Sequence, residues 1–197
     1  MWHTFLGGLL SATMLLAGAV GSTTLSPPGP APDLLPAAGQ RFWVNDAHRY
    51  TSPWYDGARR KMIGFGCTPA PYYDPDPRCR DDRGFHHGLD MAMPCGTRLF
   101  AGLAGWVVNP RSPGSLGPSY GAKAFRIRNH RLGVDVVIAH TRRVYVAPGD
   151  RVRRGQLIAR ASDAGAPDGC HLHFEVRPQG TGHRSAVAPH DYLRLRR

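Results

Sequence analysis

From about Gln40 onward the chain alternates short apolar runs with turn-forming residues. The stretches 99–108, 125–128, 134–140, 156–160 and 172–176 each read as a strand. They are separated by NPRSPGSLGPSYG, NHRLG, APGD and DAGAPDG, whose Gly, Pro, Asn and Asp content favours turns. Strands this short and this evenly spaced predict an all-β fold, a sandwich or an open barrel. No long stretch carries helical periodicity, and DYLRLRR at the C-terminal end has room for a single helical turn. No internal repeat of solenoid type is present.

The residues before Gln40 follow a different pattern. Residues 1–20 carry no Asp, Glu, Lys or Arg and hold the apolar run FLGGLLSATMLLAGAV. This run is shorter than the ~20 residues of a spanning helix, and Ala17-Gly18-Ala19 forms a small-residue cleavage pattern. The segment reads as a secretory signal peptide, with an uncleaved N-terminal membrane anchor as the alternative because no basic residue precedes the run. Residues 21–39, rich in Pro, Ser, Thr and Gly, read as a linker. Residues 40–197 then form one domain.

Composition agrees with many turns and a real core: the chain has 24 Gly and 18 Pro among 197 residues, with 42% hydrophobic residues, which argues against a helical bundle. The formal charge of +11 favours anionic partners, and Lys61 and Lys123 are the only lysines. The export signal makes the four cysteines candidates for two disulfides, since no C-x-x-C spacing points to a structural zinc site. Three pairings are possible. Cys67 and Cys79 bracket the stretch TPAPYYDPDPR, which cannot hold a shape by core burial, so joining its ends is the natural use and leaves Cys95 with Cys170.

Candidate chemistry lies in three places: His86-His87-Gly88-Leu89-Asp90, His140 in IAHT, and His171-Leu172-His173-Phe174-Glu175. On a strand, His171 and His173 share one face with Cα atoms about 7 Å apart, while Leu172 and Phe174 take the other. One histidine can then reach a metal while its neighbour reaches water or substrate. His86 and Asp90 lie about 13 Å apart on a straight strand, so they share an ion only if the chain bends, and Gly88 permits a bend. Two imidazoles and a carboxylate would form a three-ligand zinc site with an open fourth position, the catalytic arrangement. Each element also has a bland reading. His140 shares a strand face with Val136 and Ile138 and so reads as a packed residue, and Glu175 reads as a supporting or surface ion-pair partner. No HEXXH motif is present.

The order and context of these motifs carry a resemblance. HHGLDMAMPCGTRLFAGLAGWVV, VVIAHT and VAPGDRVRRGQLIARASDAGAPDGCHLHFEV are similar to the lysostaphin-like zinc metallopeptidases, the LytM-domain peptidoglycan endopeptidases, over residues 84–178. VAPHDYL fits that family's closing segment. The resemblance implies an all-β core of antiparallel sheets, the duplicated hybrid motif, with one zinc ion in a groove. It implies His86, Asp90 and His173 as zinc ligands, with His86 favoured over its neighbour His87 by spacing, and His140 and His171 as catalytic histidines. In such a fold the segments of Cys95 and Cys170 would come close together. The stretch KMIGFGCTPAPYYDPDPRCRDDRGF is longer than a plain member needs and could narrow the groove, where Tyr72 or Tyr73 could bind substrate or offer a hydroxyl to an oxyanion.

The implied activity is metal-assisted hydrolysis of peptide cross-links in bacterial peptidoglycan, by a secreted, cell-wall-associated or membrane-anchored protein. The positive charge suits attraction to anionic wall polymers. Three rivals are weaker. A catalytically silent LytM-type binding or activator module typically loses ligands, and all five positions are intact here. VAPGDRVRRGQLIA is like the hairpin of biotinyl and lipoyl carriers, but neither lysine lies at its tip. A nucleic-acid binder would show a recognised motif, and none is present.

Overall fold

The structure, a computed structural model, describes residues 1–2 and 39–197. The signal or anchor segment beyond Trp2 and nearly all of the linker therefore lie outside the described residues, and the account below is of the compact unit Asp33–Arg197. Among the described residues, no helix is long and apolar enough to cross a membrane.

Thirteen strands and one short helix follow in chain order. β1 (Arg49–Ser52) and β2 (Tyr55–Ile63) form a hairpin. β3 (Gly66–Thr68) and β4 (Gly84–His86) pair in a small sheet of their own. Next come β5 (Leu89–Ala92), β6 (Arg98–Phe100), β7 (Gly105–Val107), β8 (Phe125–Asn129) and β9 (Val134–Ala139). β10 (Thr141–Arg142), β11 (Arg151–Val152), β12 (Leu157–Ala161) and β13 (His171–Pro178) complete the set, and α1 (His190–Leu193) is the single turn near the C-terminus. Eleven strands join in one curled, half-barrel antiparallel sheet, ordered β10-β12-β6-β2-β5-β13-β9-β8-β7-β11 with β1 attached to β2.

The register of the central strands positions the site. β13 lies between β5 and β9, with His173 opposite Asp90 on one side and Ala139 on the other. Paired residues in a sheet share a face, so this register alone brings Asp90 beside His173. The alternate residues Leu172, Phe174 and Val176 face a core that includes Leu89, Met91, Val136 and Ile138, where the Trp54 ring meets Phe174 edge-on at 4.8 Å. A smaller cluster of Met62, Ile63, Ala70 and Ala92 supports Phe42, Trp43 and Tyr73.

Two sequence expectations need correction. The stretch 99–108 is not one strand but β6 and β7, because Gly102 packs so closely on Trp54 that a Cβ there would lie 2.3 Å from the indole nitrogen. β9 stops at Ala139: His140 adopts φ 52°, a left-handed conformation, and so leaves the face it would have shared with Val136 and Ile138. The strands β1 and β2 were not anticipated, since Pro53 and Gly57 interrupt a run with many basic residues. Both disulfides have the expected pairing, Cys67 with Cys79 and Cys95 with Cys170.

Candidate active site

The chain between His86 and Asp90 turns from β4 to β5 at His87 and Gly88. Gly88 is needed here for space, not for a left-handed φ: a Cβ would lie 2.6 Å from His173 Cε1 and 2.9 Å from the Phe174 carbonyl oxygen. The bend brings His86 Nε2 within 3.4 Å of Asp90 Oδ1 and 3.0 Å of His173 Nδ1, and His173 Nδ1 lies 2.9 Å from Asp90 Oδ1. These three buried residues form a cluster that could hold a metal ion.

The outer partners fix which ring nitrogens face inward. His86 Nδ1 donates to the Gly64 carbonyl at 2.9 Å, which leaves Nε2 as the lone pair turned to the cluster. His173 is oriented the opposite way, with Nε2–H donated to Glu175 Oε2 at 3.2 Å and Nδ1 turned inward. Burial disfavours charge on His173, yet Asp90 and Glu175 outweigh it and push its pKa up to about 9. The surrounding histidines hold the Asp90 carboxyl well below the usual carboxylate range despite complete burial.

His140 and His171 complete the cluster. Their ring centroids are 4.4 Å apart, and His140 is 5.9 Å from the His173 ring. Both donate Nδ1–H to backbone carbonyls at 2.9 Å, His140 to Ala164 and His171 to Gly169, so each keeps a bare Nε2. His171 Nε2 is buried, has no hydrogen-bond partner, and sits 3.5 Å from Asp90 Oδ2. Burial and the neighbouring histidines lower both pKa values, that of His140 to about 3, so both rings are neutral near pH 7.

Sequence reasoning missed most of the support around this cluster. Glu175, Tyr120 and Arg177 form a closed network: Tyr120 Oη donates to Glu175 at 2.8 Å, and Arg177 donates to Glu175 at 2.5 Å and to Tyr120 at 2.7 Å. Glu175 is fully buried and thus not a surface partner. Arg177 was findable, because two-residue periodicity on β13 places it on the face of His171, His173 and Glu175. Tyr120 comes from the loop before β8 and carried no local signal.

Three members of the cluster, His86, His140 and His173, line a groove of about 640 Å³. One wall is the disulfide-joined insert, contributing Tyr72 to Arg78, and the other includes Ser119, Tyr120, His183 and Arg184. Tyr73 packs on His86 at 5.5 Å between ring centroids, and its hydroxyl bonds none of the described residues. The Tyr72 hydroxyl instead bonds the Asp168 carboxylate. His87 stands outside the cluster, with Nε2 accepting from Arg78 at 3.1 Å and its ring against His183.

Comparison with known proteins places this geometry. Residues 84–186, just over half of the 197, match the model of peptidase family M23. The chain is 30% identical over 95 residues to the peptidoglycan DD-endopeptidase ShyA of Vibrio cholerae, covering 48% of this chain and 21% of ShyA. It is 35% identical over 95 residues to the DD-carboxypeptidase/endopeptidase Mpg of Neisseria meningitidis, covering 48% of this chain and 20% of Mpg. The matched part thus spans about a fifth of either relative. The catalytic domain of lysostaphin from Staphylococcus simulans superposes with a TM-score of 0.52 at 25% identity, covering 69% of this chain and 92% of that domain. The inward-facing His, Asp and His atoms belong to the matched segment, as do His140 and His171, and the chain is a member of peptidase family M23.

Proposed function

We propose that this chain is an exported zinc metalloendopeptidase that hydrolyses peptide cross-links of bacterial peptidoglycan. The observation that carries the reading is the convergence of three buried ligand atoms, on His86, Asp90 and His173, beside two neutral imidazoles with bare Nε2 atoms, His140 and His171. Ligands about 2.1 Å from one centre lie roughly 3.0–3.4 Å apart at angles from square to tetrahedral. The separations of 2.9, 3.0 and 3.4 Å fit that requirement, and the two-imidazole, one-carboxylate set suits zinc. His86, Asp90 and His173 would hold the ion, which when bound supplies Lewis acidity toward water and the scissile carbonyl.

The chain's own groups do the rest. The bare Nε2 of His171 or His140 accepts the proton of the attacking water, and an imidazole kept neutral by burial is ready for it at pH 7. The protonated ring then steadies the oxyanion and returns the proton to the leaving amine. Tyr73 would offer its hydroxyl to the oxyanion: it lines the groove with its ring on His86, and burial and the nearby carboxylates keep its phenol protonated. Tyr120 is not, because its hydroxyl is already committed to Glu175 and Arg177.

The substrate class rests on ShyA, named a peptidoglycan DD-endopeptidase, and with Mpg, named a DD-carboxypeptidase/endopeptidase, it makes the D,D cross-link the first bond to test. Export is supported by the two disulfides, which persist in oxidising compartments. The test is muropeptide analysis of purified peptidoglycan treated with the full chain, zinc-loaded and chelated in parallel. Chelator-sensitive loss of cross-linked dimers is expected. Intact dimers with a protein holding one zinc would overturn the reading.

A further inference from the structure

His171 is held in its working tautomer by a single bond, from Nδ1 to the carbonyl of Gly169. The loop that presents this carbonyl contains Gly165 and Gly169, both with positive φ; its own Ala166 N–H to Asp163 bond lies before the Pro167-Asp168-Gly169 stretch, and the Cys95–Cys170 disulfide pins the residue after it. What holds it comes from elsewhere in the chain. Arg41 donates to the Pro167 carbonyl at 2.8 Å and pairs with the Asp168 carboxylate at 3.1 Å. Trp43 donates its indole N–H to Asp168 at 2.9 Å, and the Tyr72 hydroxyl bonds the same carboxylate. The Gln40 amide donates to the carbonyls of Met93 at 2.9 Å and Cys170 at 2.8 Å.

Residues 40, 41 and 43 thus grip residues 167, 168 and 170, on both sides of Gly169. Asp168 is 1% exposed, and a buried carboxylate is tolerable only while such donors surround it. None of Gln40, Arg41, Trp43 and Tyr72 falls within the family-matched residues 84–186.

We propose that the segment from Gln40 to Trp43 is a positioning element for His171, acting through Asp168 and the Gly169 carbonyl, so that the working site extends beyond the matched peptidase segment. The inference rests on the reading of His171 as a catalytic imidazole. Releasing the loop lets the carbonyl drift, the ring then populates both tautomers, and misplacement near 1 Å slows chemistry about 10²-fold. His86 and Asp90 lie on β4 and β5, and His173, further along β13, keeps its own bonds to Asp90 and Glu175, so the metal ligands stay as they are; loss of the Asp168 carboxylate also frees Tyr72 in the groove wall.

The test uses the full chain carrying Trp43→Phe, which keeps the ring but removes the N–H, and Asp168→Ala, with Asp168→Asn as the conservative partner and His171→Ala as reference. The expected result is a kcat lowered at least tenfold in Trp43→Phe and Asp168→Ala, with bound zinc unchanged in both, KM unchanged in Trp43→Phe, and Asp168→Asn in between. In the metal-free proteins, side-chain nitrogen NMR at neutral pH should show the Nδ1–H tautomer of His171 in the parent and mixed tautomers in the two variants. Unchanged His171 nitrogen shifts, or changed shifts with parental kcat, overturn the proposal. Full turnover in His171→Ala would instead remove the catalytic reading on which it rests.

Discussion

Glu175 Oε2 accepts the Nε2–H of His173 at 3.2 Å, on the opposite side of the imidazole from the nitrogen that meets Asp90. The carboxylate sets both the tautomer and the tilt of a proposed ligand. Glu175→Gln keeps an acceptor for that N–H but leaves the buried Arg177 without its counter-charge. Zinc affinity should fall about 10–100-fold by chelator competition. The midpoint of unfolding should also drop, because breaking a buried pair from one side is strongly destabilising.

Alanine substitutions should separate two classes within the cluster. His86→Ala, Asp90→Ala and His173→Ala are expected to lose zinc and turnover together. His140→Ala and His171→Ala should keep one zinc by elemental analysis while losing about 10²–10⁴ in kcat. Retained turnover in either of the last two would sink its assigned role.

Gly88→Ala tests the close approach of β4–β5 to the His173 ring. The added methyl would meet His173 and the Phe174 carbonyl oxygen at under 3 Å, whereas a Cβ at Gly64 meets only a Val44 methyl at 3.5 Å. Gly88→Ala is expected to weaken zinc binding and stability, and Gly64→Ala to be nearly silent. Equal behaviour of the two in metal titration and urea unfolding would contradict the packing argument.

Away from the site, Asp135 pairs with Arg126 at 3.3 Å and Arg128 at 2.7 Å. Against the cost of burial, these arginines and the Gly180 N–H hold its carboxyl below the ordinary value. Its contribution to stability is complete above the unfolded carboxylate pKa near 4 and is lost as pH falls through the lower folded value. Urea midpoints measured from pH 5 to pH 2 should therefore decline, and Asp135→Asn should flatten part of that decline while lowering the value at pH 7.

Reduction should act unequally on the two disulfides. Cys67–Cys79 closes a separation of 12 residues and Cys95–Cys170 one of 75, so loop-closure entropy assigns about 3 and about 4–5 kcal/mol to them. Pairwise Cys→Ser variants in chemical denaturation would show this order. A larger loss for the 67–79 pair would mean that the insert does more than close a loop.

The parts of the site legible in the sequence were those whose chemistry sits within a few residues. His171 and His173 could be placed on one face because strand periodicity is local, whereas His86 and Asp90, too far apart on a straight strand, were paired by the family resemblance, with Gly88 permitting the bend. His140 was visible as a residue but not as a conformation: alternation assigned it to the core face, and only the left-handed φ at the end of β9 turns it toward His171. Tyr120 and the Gln40–Trp43 contacts depend on pairings more than fifty residues apart, which no local pattern encodes. The same limit applies to the fold, where β8, β9, β12 and β13 were readable as apolar alternation while β1 and β2, rich in Arg and Tyr, were not.

The groove has a floor of hydrogen-bonded strands and walls of loops, one of them the insert closed by Cys67 and Cys79. Floor and walls are therefore encoded in different stretches of chain, which meet where Tyr72 and Tyr73 reach the floor. The floor tolerates little change, since each of its side chains answers to several buried partners at once. The insert is fastened at its base by its own covalent clasp, and its Tyr72 and Tyr73 are tied to Asp168 and His86, so the freedom to vary falls to the residues beyond Tyr73. Such an arrangement lets a lineage, or an engineer, reshape the rim of the groove without rebuilding its floor.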